Sequence, residues 1–432
     1  MGAKADNQQP AKSRLTQFIL GALLLGVASG AAVHHLGAGS AFPQAYAENI
    51  SLLTDIFLRM IKMIIAPLVF ATLAVGIASM GDSKTIGRVG AKTFGWFLMM
   101  SFLSLLLGLL MVQLLQPGAG VHLEVPATSA ATGLTAPGNP LANFLHHVFP
   151  VSIMDAMAKN EILQIVVFAV FFGLAGAHLG PRAEEFFRNL DMLSHMMLRI
   201  TTMVMNFAPV AVFAAVSAVI AKSGLGILMT YAQFMLSFYA AIAALWVVIV
   251  LAGFLVLGKP VLTLVGMLRQ PLVLAFTTAS SEAAYPKTLE QVERFGAPNR
   301  IASFVLPVGY SFNLDGSMIY CTFATLFIAQ VYGIEMSLGQ QFLMLLMLMV
   351  TSKGIAGVPR ASLVVIAATL AHFNIPEAGV LLILGVDHFL DMARSATNVL
   401  GNGVATAVIA KWEGVLNKTD GNAPTHTEAT TH

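Results

Sequence analysis

A single cysteine, Cys321, stands in the whole chain, so neither a disulfide framework nor a thiolate metal cluster can organise it. Charge is scarce too. Asp, Glu, Lys and Arg make up 10% of the residues, and their net charge of +2 offers no basic surface for nucleic acid. No Walker phosphate loop and no dinucleotide fingerprint occurs, which argues against ATP as the energy source. His146, His147, His372 and His388 stand in no spacing with Cys or Asp that matches a metal site, and no cofactor is expected. The long segment from Gln116 to Met157 has neither Lys nor Arg.

Apolar residues are plentiful. At 57% hydrophobic over 432 residues, the composition predicts an all-α polytopic membrane protein with the lipid bilayer as its first partner. Lys4, Lys12 and Arg14 precede an apolar run from Leu15 to Val33 that is long enough to remain as a first span rather than a cleaved signal. The start Met-Gly-Ala-Lys-Ala-Asp lacks the Ser or Thr of a myristoylation site. Further helices are predicted over 50–80, 88–116, 161–180, 187–221 and 226–258. Basic residues cluster in alternate loops: Lys84, Arg88 and Lys92, then Arg182 and Arg188, then Lys259 and Arg269. The positive-inside bias therefore places both termini in the cytoplasm and the 116–157 loop outside. The tail over 413–432 is predicted to be disordered, and its Asn417-Lys418-Thr419 triplet, being cytoplasmic, is a chance glycosylation match.

From Val261 onward two apolar segments are each broken by small residues, Thr277-Thr278-Ala279-Ser280-Ser281-Glu282 and Ser352-Lys353-Gly354-Ile355-Ala356-Gly357-Val358-Pro359. Each half is too short to cross a bilayer, so both read as re-entrant hairpins, over 260–295 and 338–371. A longer helix with polar interruptions follows each, over 299–331 and 376–412. This double occurrence matches the inverted repeat of a secondary transporter with its site between the repeats.

Polar side chains in the last helix are the strongest signal. Asp387, Arg394, Ser395, Asn398 and Asn402 lie at −4, +3, +4, +7 and +11 from Asp391, one stripe at a helical period of 3.6. Charges at bilayer depth cost at least about 2.5–3.5 kcal/mol each, so the stripe faces protein or a water-filled cavity. One reading is an ion-pair network that locks helices together. The other is a site for a zwitterion with an extra carboxylate: Arg394 offers a planar fork, Asp391 an anion for an ammonium, and Asn398 an amide for a second carboxylate. In the preceding helix, Asn313-Leu314-Asp315-Gly316 favours local unwinding that frees carbonyls for a cation beside Asp315. Ser280 and Ser281 at the first tip suit an anion. Glu282 and Lys353 either stand in a water-filled vestibule or, for Glu282, carry a coupling proton. An anion channel lined by Arg394 and an intramembrane enzyme using Ser280 or Ser281 are rival classes; the serines have no positioned base in the sequence, and an enzyme ranks last.

These residues resemble the dicarboxylate/amino acid:cation symporter family, the glutamate transporter homologues. Asn313-Leu314-Asp315-Gly316-Ser317 resembles its Asn-Met-Asp-Gly-Thr motif, Gly357-Val358-Pro359 its second hairpin tip, and Leu390-Asp391-Met392-Ala393-Arg394-Ser395-Ala396-Thr397-Asn398 its last-helix binding motif. The resemblance implies eight transmembrane helices plus two re-entrant hairpins, an inverted-repeat elevator fold, a homotrimer and a bacterial inner-membrane location. It also implies a division of labour. After the 1–14 tail, scaffold helices occupy 15–80 and 140–221. Transport-domain elements occupy 88–116, 226–258, 260–295, 299–331, 338–371 and 376–412.

Carried over by position, Asp391 would hold the substrate ammonium, Arg394 its side-chain carboxylate and Asn398 its α-carboxylate. Ser280, Ser281, Ser317, Ser395, Gly357, Val358 and Pro359 would line the pocket. Asp391 together with Arg394 favours glutamate or aspartate over a C4-dicarboxylate such as succinate, fumarate or malate. Coupling is where the chain departs from the pattern. Asn402 replaces an aspartate of sodium-driven members, and Phe97 and Met100 replace oxygen-bearing side chains, with Ser101 kept. A hard cation loses ligands by these changes, so the expected coupling ion is the proton, as in the glutamate/aspartate:proton branch. Asn313 and Asp315 leave room for one sodium site. Glu282, Asp315 and Asp391 are candidate proton carriers, and Cys321 stands where animal relatives carry a proton-accepting glutamate.

Overall fold

In the computed structural model the described residues are 11–37, 39–80, 83–118, 148–224, 231–351, 361–384 and 386–417, and every regular element among them is helical. The first three helices, α1 (Ala11–Leu36), α2 (Phe42–Met80) and α3 (Ser83–Leu115), follow the apolar runs. With 39 residues, α2 rises roughly 58 Å, nearly twice the ~30 Å hydrocarbon core, so it tilts steeply or projects beyond the lipid. Four more follow: α4 (Ile153–Lys159), α5 (Ile162–Leu179), α6 (Pro181–Met205) and α7 (Ala208–Ser223). The run predicted as one helix over 187–221 is two, α6 and α7, bent by 53° between them. Pro209 in the first turn of α7 explains the break, because its ring excludes the N–H and the space a continuing helix needs.

After α8 (Ala232–Leu257), α9 (Pro260–Thr278) and α10 (Ser281–Phe295) pack against each other across a two-residue break at Ala279 and Ser280. Ala279 there adopts a left-handed φ of 48°. Next, α11 (Asn299–Phe312) and α12 (Asp315–Val331) are separated by Asn313 and Leu314, whose backbones are not helical. The helices α13 (Leu338–Thr351) and α14 (Ala361–His372) follow; the tip between them, with Lys353, Gly357, Val358 and Pro359, lies outside the described residues. The helix predicted over 376–412 is interrupted. A 3-10 turn at Glu377–Gly379 leads into α15 (Val380–Leu384), and α16 (Asp387–Trp412) begins only after a break. The interruption puts Asp387 in the first turn of α16, where unpaired backbone N–H groups favour an acid.

Among the described residues seven helical segments are long and apolar enough to cross a membrane, or eight if the bent α6–α7 pair is one span. The count differs in detail from the predicted spans. The continuous α9 qualifies, whereas the longer α16 does not, since its polar stripe lowers its hydropathy.

Two packing groups emerge. In one, α1 lies on α7, and α2 on α5, α6 and α7. In the other, α16 is central and touches α3, α8, α9, α10, α11 and α12. The groups meet mainly where α2 lies along α10 and α11, and α5 along α11. Every residue of α16 from Met392 to Ala410 is buried, the pattern of a helix enclosed on all sides. From α8, the Trp246 indole donates to Thr397 Oγ1 at 2.8 Å and the Tyr239 hydroxyl to the Phe389 carbonyl at 2.7 Å, which fixes the rotation of α16.

Candidate binding site

The stripe on α16 forms two connected clusters. At its N-terminal end the Arg394 guanidinium is enclosed: Nη2 donates to Asp391 Oδ1 at 2.8 Å, Nε to the same oxygen at 3.2 Å, and Nη1 lies 3.7 Å from Asp387 Oδ1. Beneath it the Tyr320 ring centre is 4.2 Å from Cζ, a cation–π distance. The Tyr320 hydroxyl donates to Asp387 Oδ1 at 2.9 Å, so phenol and acid together hold one side of the guanidinium. Ser395 Oγ reaches Asp391 Oδ1 at 3.4 Å.

Exposure separates the members. Asp391 keeps 37% of its side-chain surface open, against 5% for Arg394 and 10% for Asp387. Arg394 Nη1 is buried with no hydrogen-bond acceptor among the described residues. A buried guanidinium N–H with no acceptor is costly, and a carboxylate oxygen is its natural complement.

The second cluster lies at the break between α11 and α12. Asn313 Nδ2 donates to Asp315 Oδ2 at 3.3 Å and to Asn402 Oδ1 at 3.1 Å, while Ser104 Oγ of α3 donates to Asp315 Oδ1 at 3.2 Å. Asn313, Asp315, Asn402 and Ser104 have no exposed surface. Asn313 Oδ1 and Asn402 Nδ2 have no hydrogen-bond partner among the described residues. Two glycines permit the approach. A Cβ on Gly316 would strike the Arg394 backbone, and one on Gly401 would strike the Asp315 carboxylate. The Gly316 N–H donates to Asn398 Oδ1 at 2.9 Å, which ties the two clusters and turns the Asn398 Nδ2 hydrogens, unpartnered among the described residues, outward from that bond.

The fold thus brings together Asp391, Arg394, Ser395 and Asn398 with half-buried Ser317 one residue beyond Gly316, and separately Asn313, Asp315 and Asn402. Ser280 is the N-cap of α10, its Oγ accepting from the Ala283 N–H at 3.2 Å, which leaves its proton to donate elsewhere. Ser281 is the first residue of α10, half-buried beside it. Glu282 faces a different space, described below. Among the described residues no three His, Cys, Asp or Glu side chains converge as a metal site.

Three participants escaped the sequence reading. Asp387 was placed on the stripe without a role. Ser104 had a signal, since it follows Ser101 by three on an apolar helix. Tyr320 falls three residues after Ser317 on the same helical face, but its ring could equally have been core.

A model of the sodium:dicarboxylate symporter family matches residues 15–412. The chain belongs to this family. Family members with similar sequences include the proton/glutamate-aspartate symporter of Escherichia coli K12, 41% identical over 412 residues covering 93% of each chain. The proton/sodium-glutamate symport protein of Geobacillus stearothermophilus is 39% identical over 92% of this chain and 94% of its own. C4-dicarboxylate transport protein 2 of Polaromonas naphthalenivorans is 40% identical over 96% of this chain and 92% of its own. The chain is therefore a multi-span membrane protein of a bacterial transporter family, and these relatives are all transporters.

Proposed function

We propose that the protein is a secondary active symporter that imports glutamate and aspartate with protons, working in a bacterial inner membrane. One observation carries the reading: Arg394 Nη1 is buried with no acceptor among the described residues, while Asp391, ion-paired to the same guanidinium, remains open at 37%. An incoming acidic amino acid complements both groups. Its side-chain carboxylate takes Nη1, its ammonium takes Asp391, and Asn398 Nδ2 is left to meet its α-carboxylate.

Electrostatics adds a reason for cation coupling. Asp387, Asp391 and Arg394 sum to one negative charge, and an acidic amino acid brings another. Unit charges 4 Å apart repel by about 4 kcal/mol at an effective dielectric of 20, so a co-bound cation stabilises the loaded state. The proton suits this chain best. Phe97 and Met100 are buried and supply no side-chain oxygen, and Asn402 presents an amide where a sodium site gains from a carboxylate.

Transport would follow the division seen in the packing. The α2 group serves as a trimeric scaffold, and the α16 group, with α9–α10 and α13–α14 as re-entrant hairpins, crosses as a rigid body. Tip residues Ser280, Ser281, Gly357, Val358 and Pro359 would close the pocket over the substrate.

Uptake into proteoliposomes tests the reading. With an inward proton gradient and no sodium, labelled glutamate is expected to accumulate; uptake that requires sodium would replace the coupling ion. The same assay addresses a second reading, a C4-dicarboxylate symporter, which the similarity to the Polaromonas protein favours. Asp391→Asn is expected to abolish glutamate uptake, and unchanged glutamate uptake would remove the ammonium assignment.

A further inference from the structure

Glu282 stands apart from the α16 clusters. It is half-buried at the second residue of α10, directly after the tip serines. With Ile65 and Val69 of α2, Ile162 of α5, Tyr285 of α10, and Pro307 and Tyr310 of α11, it lines a narrow cleft too tight to hold water. Four of these six neighbours are hydrocarbon. The other two are phenols, packed edge-to-face with ring centres 5.5 Å apart. Among the described residues both hydroxyls are buried without a close hydrogen-bond partner, and the Thr72 and Thr288 hydroxyls are the groups within their reach. Glu282 itself has no hydrogen bond or ion pair among the described residues. Lys62, exposed on the same face of α2 as Ile65 and Val69, is the charged side chain whose field reaches it. A carboxyl group without a partner among the described residues and two buried phenols thus share one cleft between the two packing groups.

We infer that Glu282 carries the coupling proton, on the scaffold-facing side of the hairpin rather than inside the substrate pocket. The inference rests on the transporter reading above and adds to it the identity and place of the proton carrier. As α10 moves along α2, the Glu282 side chain passes Ile65, Val69 and Ile162. An unpaired carboxylate taken out of water costs several kcal/mol, whereas the neutral acid crosses that wall cheaply and can hydrogen-bond with Tyr285 or Tyr310. Crossing therefore selects the protonated form. The carboxylate takes its proton from water on the side of higher proton activity, forming the O–H bond, and that bond breaks to water on the other side. Because Glu282 adjoins Ser281, proton loading happens one residue from the tip that closes on substrate.

The test uses the full-length chain in proteoliposomes with labelled glutamate. Wild-type protein that neither exchanges nor accumulates glutamate would remove the transporter reading itself, independently of Glu282. A gradient of one pH unit drives accumulation by about tenfold per proton. Glu282→Gln is expected to lose this accumulation while glutamate exchange at equal concentrations persists and no longer varies with pH. A second variant guards against poor insertion. Lys62→Met removes the cation that favours the carboxylate, so the pH profile of wild-type exchange is expected to move toward higher pH. Proton-driven accumulation by Glu282→Gln at the wild-type level would overturn the inference, as would an unmoved pH profile in Lys62→Met.

Discussion

Asp391 and Asp315 belong to neighbouring clusters along α16, yet their surroundings are opposite. Asp391 is more than a third open and shares its guanidinium with a second acid. Asp315 has no exposed surface and accepts from Asn313 and Ser104 inside a knot that a Cβ on Gly401 would enter. The first arrangement can exchange its partners, since Arg394 already has one N–H without an acceptor. The second holds the break between α11 and α12 in place. The proposed ligand site and the closed cluster beside it thus use the same residue types, and openness separates them better than identity does.

The largest expected effect breaks the open cluster. Arg394→Lys keeps the charge but loses the planar fork and the stack on Tyr320, so glutamate uptake is expected to fall about a hundredfold or more. Arg394→Ala goes further and strands Asp387 and Asp391. Leaving a buried charge without its partner costs about 3–5 kcal/mol, which a melting curve in detergent would register. Arg394→Lys with near-normal uptake would reduce the guanidinium to a structural tie.

A smaller effect should come from opening the closed cluster. Asn402→Asp adds a carboxylate beside Asn313 and near Asp315, giving a hard cation a second anionic oxygen donor. Two acids there repel, so the variant is expected to melt lower in potassium and to recover in sodium, with uptake becoming sodium-stimulated. If sodium restores neither melting temperature nor uptake, Asn313, Asp315 and Asn402 are a structural knot only.

The same contrast explains what the sequence could disclose. The stripe at −4, +3, +4, +7 and +11 from Asp391 was legible because helical periodicity alone puts those residues on one face. The loosened backbone at Asn313-Leu314 was legible because Asn, Asp and Gly in an apolar helix have few other reasons to be there. Which partners the stripe meets was not legible. Tyr320 under Arg394 and Ser104 against Asp315 depend on how α12 and α3 pack on α16, contacts between elements far apart in the chain. The divided helix over 181–223 was missed because apolar content outweighed Pro209, and the break before Asp387 because the polar stripe invited one continuous helix. Glu282 was visible as an odd charge beside Ser280 and Ser281; that it faces α2 and α5 rather than the polar stripe of α16 required the fold.

The smallest effect concerns an ion cluster of a third kind, at the end of α16 beyond its apolar stretch. Glu413 accepts from Arg88 Nη2 at 2.7 Å and Lys92 Nζ at 2.6 Å, and Lys92 also donates to the Trp412 carbonyl at 2.9 Å, joining α16 to the start of α3. The Arg88 hydrogen bond, with help from Lys92, holds the Glu413 carboxyl below its ordinary value of 4.5. A depressed folded-state value means that the ionised form is the stabilising one. Its contribution is complete above pH 4.5 and fades as pH falls through the lowered value. Glu413 is nearly covered, but Arg88 and Lys92 expose 55% and 32% of their side chains, so water screens the cluster. Glu413→Gln is therefore expected to cost about 0.5–1 kcal/mol at neutral pH, far less than Arg394→Ala. Its melting deficit should shrink as pH drops below the carboxylate range. A deficit as large as that of Arg394→Ala, or one indifferent to pH, would mean that α3 depends on this clasp for its docking rather than on the packing of Trp96 against Trp412, whose rings meet edge-to-face at 5.6 Å.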